Sequence, residues 1–123
     1  MALSKKYLDL VNDAKQNIKE ISIEETVSMI KKKEHFILID IREESEWKDK
    51  RIPNSIYLGK GILEREIEHM VPNERTKILL YCAGGYRSVF SAENLQKMGY
   101  QNVYSMIGGI SEWEGKNFPI VHT

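Results

Sequence analysis

The chain has 123 residues, 41% of them hydrophobic, enough for one domain with a real core. Its 18 basic and 18 acidic residues cancel, so no general charge draws it toward nucleic acid or an anionic membrane. A single cysteine excludes an intrachain disulfide and a cysteine-based zinc cluster, and nothing calls for a metal or a cofactor.

In chain order, Met1 to Lys6 lacks the apolar core of a leader peptide. No apolar run is long enough to span a membrane, so a reducing cytoplasm is the expected compartment. Residues 4–17 read as an amphipathic helix capped by Ser4, with Tyr7, Leu10, Val11, Ala14 and Ile18 at helical spacing. This helix, residues 1–17, is an extension expected to pack on its own domain rather than on a partner, and residues 18–123 form that domain.

Residues 18–21 suggest a short edge strand. Ser22 and Glu25 then form a capping box for a helix with Val27 and Ile30 inward. Lys31 to Lys33 suit its negative pole. Phe36 to Ile39 is a continuous apolar run of the buried parallel type. The charged group after it, Asp40, Arg42, Glu43, Glu44 and Glu46, fits an acid-rich helix start better than a metal site. Residues 51–55 are a turn, 56–58 a strand, and Gly59-Lys60-Gly61 a loop before a short helix with Leu63, Ile67 and Met70.

Ile78 to Tyr81 is the next buried strand, and Cys82 follows it directly. From Ser88 the spacing turns helical, with Val89, Ala92 and Leu95 on one face and Gly99 as the terminator. Residues 102–106 are another strand, and Ile107-Gly108-Gly109 leads into a last short helix anchored by Trp113. Strands alternating with helices predict an α/β fold, a mostly parallel central sheet with helices on both faces.

The strand, loop and helix around Cys82 carry the chemistry. Gly84 and Gly85 let successive N–H groups turn around one point. The helix start adds unpaired N–H groups and a positive dipole end. Arg87 adds a permanent charge, and all three features favour a thiolate at Cys82. A lone cysteine at a strand end is usually just a small buried hydrophobe. Here the glycine pair, the arginine and the helix start favour a functional group.

The segment Cys82 to Ser88 resembles the active-site loop of the rhodanese family, the single-domain thiosulfate sulfurtransferases. Leu38 to Glu43 with Glu46-Trp47, Ile52 to Ser55, Gly61 to Glu64, Gly99 to Tyr104 and Gly108 to Trp113 resemble further family motifs, in the family order. The resemblance covers about residues 18–121 and implies a rhodanese-like domain. It makes Asp40 and Arg42 scaffold residues near the site, and Lys60 either a second substrate cation or plain surface. Lys50-Arg51 stands where the family usually has Gly-His, so the histidine's hydrogen bond is missing.

The resemblance implies sulfur transfer from a small anionic donor such as thiosulfate, through a Cys82 persulfide, to cyanide or a thiol, including a protein thiol. Cys82 is the nucleophile. Ala83, Gly84, Gly85, Tyr86, Arg87 and Ser88 bind the donor. A module that only carries sulfur to a partner is the alternative. A cysteine phosphatase fits less well, because that class places one residue more between cysteine and arginine than the four found here.

Overall fold

The computed structural model describes residues 2–122. Five short strands make the central sheet: β1 (Lys19–Ile21), β2 (Ile37–Asp40), β4 (Ile56–Tyr57), β5 (Ile78–Tyr81) and β6 (Val103–Met106). Their spatial order is β1-β6-β5-β2-β4, and every neighbouring pair is parallel. Parallel strands need crossovers, and helices supply them. These are α2 (Ile23–Lys31), α3 (Glu44–Asp49), α4 (Leu63–Met70) and α5 (Arg87–Lys97), with α1 (Lys5–Lys15) before the sheet and α6 (Gly109–Gly115) after it.

The strand pleat explains the two cores. Side chains alternate across a strand, so Ile78 and Leu80 face one side and Leu79 and Tyr81 the other. The first side meets Leu63 and Ile67 of α4 and Ala92 and Leu95 of α5. The second meets Ile23 and Met29 of α2 and Ile110 and Trp113 of α6. All four residues of β5 are buried, as expected of a central strand covered twice. The expected α/β architecture, with helices on both faces, is therefore the observed one.

Local signals held where they were chemical. Ser4 caps α1 by accepting from the Tyr7 N–H at 3.3 Å, and Ser22 and Glu25 close a reciprocal capping box. Gly99 ends α5 with φ +106°. The apolar periodicity was less exact. Leu10 is 58% exposed and Ile30 43%, and Thr26 and Met29 are the buried residues of α2 together with Ile23. Met70 also points outward. Each of these helices has only one covered side, so the apolar residue at the margin of its stripe stays in solvent.

One pairing has no local signal. Arg51, read above as the first residue of a turn, forms β3 with Lys50 and pairs antiparallel with β7 (Val121–His122). Lys50 also forms an ion pair with Glu114. The carboxyl-terminal segment is thus tied to the connection that leads from the Asp40 strand.

Candidate active site

Cys82 stands directly after β5, the middle strand of the sheet, at the carboxyl end where open α/β sheets place their ligands. The residue is 1% exposed, and its sulfur side belongs to the core under α5. The loop doubles back at Gly85, whose φ is +90°. That turn brings the Gly85 N–H to 3.2 Å from Cys82 Sγ. Behind the sulfur, Ser88 Oγ lies 3.6 Å away and shares a 2.7 Å hydrogen bond with Ser105 Oγ of β6.

The loop carbonyls are held elsewhere. Ile110 N–H donates to the Cys82 carbonyl and Ser111 N–H to the Ala83 carbonyl, both at 2.9 Å. The start of α6 therefore holds two carbonyls that would repel an anion. Among the described residues, none accepts from the N–H of Ala83, Gly84, Tyr86, Arg87 or Ser88. These donors remain available at the loop and at the first turn of α5, where a helix leaves N–H groups without intrahelical partners. Donors without protein acceptors around a sulfur suit an anion.

Arg87 opens α5 and is half-buried. Its Nη1 and Nη2 donate to the two carboxylate oxygens of Glu46 at 2.9 and 3.2 Å. Glu46 also accepts the Glu43 N–H at 3.0 Å, so the α3 cap orients the carboxylate that orients the guanidinium. The hydrogen bond from Arg87 holds the Glu46 carboxyl below the ordinary 4.5. The same pair, with Glu46 the main cause, holds Arg87 further toward its cation. A folded-state pKa lowered in this way means that the pair persists above the ordinary carboxylate range and is lost as pH falls through the lowered value.

A cavity of about 270 Å³ opens over the sulfur, lined by Leu3, Tyr7, Cys82, Ala83, Gly84, Tyr86 and Arg87. The Cys82 sulfur, a permanent cation and N–H groups with no acceptor among the described residues thus meet at one small opening.

A rhodanese-like domain model matches residues 22–116. The chain belongs to the rhodanese family. A thiosulfate sulfurtransferase of Coxiella burnetii, GlpE, is 29% identical over 96 residues, 78% of this chain and 87% of that protein. YrkF of Bacillus subtilis, named as a sulfur carrier protein, is 29% identical over 100 residues. That match takes in 81% of this chain and 53% of YrkF, so the chain spans about half the length of that relative. A solved structure from Rhodopseudomonas palustris, of unknown function and described as a possible tyrosine phosphatase, superposes with TM-score 0.85 at 25% identity. It covers 98% of both chains.

Within this rhodanese-like domain, the remaining residues singled out above take distinct places. Asp40 and Arg42 form a buried ion pair at 2.7 Å, with Arg42 Nε 3.1 Å from both carboxylate oxygens. Arg42 also donates to the Lys50 carbonyl, and its own carbonyl accepts from Tyr57 Oη at 2.9 Å. The pair thereby joins the end of β2 to β3 and β4. Ser88 is fully buried behind the sulfur rather than at the opening. Lys60 stands outside the cavity lining, its ammonium 5.7 Å from the centroid of the Phe90 ring.

Four contributors to the site have no strong sequence signal: Glu46 as the partner of Arg87, Ser105 behind Ser88, Tyr7 from α1, and Gly109. A Cβ on Gly109 would collide with the carbonyl oxygens of Cys82 and Ala83, and its φ is +57°. Only glycine lets the start of α6 approach the loop so closely. Gly109→Ala is expected to cost about 1–3 kcal/mol from backbone conformation alone, with the collision added. Urea unfolding measures it against Gly115→Ala, whose Cβ meets open space. Equal midpoints for the two variants would remove this contact from the account.

Proposed function

We propose that this rhodanese-like domain is a sulfurtransferase working through a Cys82 persulfide. The observation that carries the reading is the Gly85 N–H directed at Cys82 Sγ within a loop whose other N–H groups have no acceptor among the described residues. The Cys82 thiolate attacks the outer sulfur of thiosulfate or a similar donor. A new S–S bond forms, the donor's own S–S bond breaks, and sulfite leaves with the bonding electrons. Cyanide or a thiolate then attacks the terminal sulfur of the persulfide. That step breaks the Cys82 S–S bond and returns the thiolate, with thiocyanate or a new persulfide as product.

Each group has a defined task in this sequence. The Gly85 N–H and the free donors of Ala83, Gly84, Tyr86, Arg87 and Ser88 stabilise the persulfide anion and the donor. Ser88 Oγ, fixed by Ser105, supports the sulfur from behind. Arg87 binds donor charge with the N–H groups that Glu46 leaves free, since a guanidinium has five. Lys60 adds a second positive charge near the opening, one ring removed from Tyr7, and Asp40 with Arg42 keeps the neighbouring loops in place. A thiol used in this way has to stay reduced, and a reducing cytoplasm is the compartment that fits this reading.

Ping-pong kinetics follow from the covalent intermediate. Initial rates with thiosulfate varied at several fixed cyanide concentrations are expected to give parallel double-reciprocal lines. Intersecting lines would mean that donor and acceptor meet in one complex, without a free persulfide enzyme. A carrier that hands its sulfur to a protein partner uses the same first step, and the name of YrkF favours keeping this second reading. Persulfide formation without turnover on cyanide or small thiols would select it.

A further inference from the structure

We propose that the amino-terminal helix forms the size-selecting wall of the Cys82 cavity, with Tyr7 and Leu3 deciding how large a sulfur donor or thiol reaches the cysteine. This inference deepens the sulfurtransferase reading and rests on it for the identity of the donor. The family match begins at residue 22, so α1 lies wholly outside it. Two of the seven residues lining the cavity nevertheless come from this segment.

The helix is fixed where it needs to be. Val11 and Ala14 are buried against Val89 of α5, and Asn17 Nδ2 donates to Glu93 Oε2 at 2.9 Å. The Tyr7 ring packs at a tilt on Phe90, 6.0 Å between centroids. Because α5 also begins with Arg87, one rigid element sets both the loop and the position of Tyr7. Tyr7 is therefore part of the wall through packing rather than chance proximity. Its phenol is pushed above the ordinary 10.0, first by burial and next by the Cys82 sulfur, with Arg87 acting in the opposite direction. The group stays neutral and does not repel an anionic donor.

Leu3 precedes the Ser4 cap and is 43% exposed while lining the opening. With Tyr7 and Tyr86 it makes a largely apolar rim around one cation and one sulfur. The volume of about 270 Å³ lies below the roughly 300–1,000 Å³ usual for sites that take drug-sized ligands. Thiosulfate and short alkyl thiosulfonates fit such an opening easily, whereas a bulkier aryl group would press on its Leu3 and Tyr7 wall. In a thiosulfonate, Cys82 takes the outer sulfur, the S–S bond breaks and the sulfinate leaves, so one reaction can be followed with different side groups.

The test compares single-turnover persulfide formation with methanethiosulfonate and benzenethiosulfonate, in the full chain and its variants. The double variant Leu3→Ala, Tyr7→Ala should raise the benzene-to-methane rate ratio about tenfold or more, the lower end of what one apolar pocket contact discriminates. Tyr7→Phe keeps the wall and should keep the wild-type ratio. Leu3→Trp narrows the opening without loosening α1 and should lower the ratio, which guards against a helix that merely detaches. A second arm needs no sulfur chemistry: the rate of Cys82 alkylation by a bulky maleimide relative to iodoacetamide should move in the same directions. Ratios unchanged within about twofold in both arms would overturn the wall. Shifted alkylation with no persulfide from any donor would instead overturn the sulfurtransferase reading and leave the wall standing.

Discussion

Cys82→Ser should form no thiocyanate from thiosulfate and cyanide, at a melting temperature close to that of the parent protein. The nucleophile of a covalent mechanism has no substitute in the chain, which holds one cysteine. Loss of such a group removes several orders of magnitude of rate. The fold should tolerate the change because serine keeps the size of the side chain and can still accept the Gly85 N–H that now points at sulfur. One hydroxyl placed beside the Ser88 and Ser105 pair also has polar neighbours. The discontinuous thiocyanate assay and a thermal melt of the same preparation test both halves. Turnover equal to the parent's would mean that sulfur never passes through Cys82.

Arg87→Ala should cost nearly as much, for two reasons that add. The donor loses a charge-assisted contact, worth about 2.7–4 kcal/mol or 10²–10³ in rate when comparable transition-state donors are removed. The Glu46 carboxylate also loses its partner and is left facing an anionic donor. The pair is only partly buried, so solvent screens some of the remaining charge, but the rest stays uncompensated beside the donor when Arg87 alone is removed. The double variant Glu46→Gln, Arg87→Ala is therefore expected to be faster than Arg87→Ala alone, and the cycle of four proteins isolates the coupling. Arg87→Lys keeps a charge but lacks the fork that grips both Glu46 oxygens, and should fall in between. Lys60→Ala should lower the rate by less than about threefold, since the ammonium lies on the Phe90 ring outside the lining and is screened by solvent. Steady-state kcat/KM with thiosulfate checks the series. An Arg87→Ala variant within a factor of two of the parent would remove Arg87 from donor binding.

What could be seen in advance depended on whether the signal was local. The continuous apolar runs of β2 and β5, the Ser22 capping box and the Gly99 terminator each act within a few residues, and each is where the sequence puts it. Cys82, its glycines and Arg87 fall within one loop, so the centre of the site was legible too. The β3–β7 pairing joins Lys50 to His122, residues far apart in the chain, and two-residue strands carry no alternation to read. Glu46 was visible only as an acid at a helix start, a role it also has through the Glu43 cap; its bond to Arg87 joins residues 41 positions apart in the chain. Tyr7 reads as one more apolar residue on an amphipathic helix until α1 is laid along α5. Gly109 looks like a turn residue, and its contact with the Cys82 carbonyl exists only once α6 packs beneath the loop.

The most direct measurement is the intact mass of the protein after brief incubation with thiosulfate, beside a sample given p-nitrophenyl phosphate. Four residues separate Cys82 from Arg87, with Gly85 turned back on the sulfur, and sulfur transfer as proposed requires this ring to take one added sulfur atom rather than a phosphoryl group. The mass should therefore rise by one sulfur with thiosulfate and return to its starting value with cyanide or dithiothreitol. Cys82→Ser should show no change, and p-nitrophenol should not be released. Release of p-nitrophenol that depends on Cys82, with no sulfur added from thiosulfate, would contradict sulfur transfer and assign the loop to phosphate chemistry.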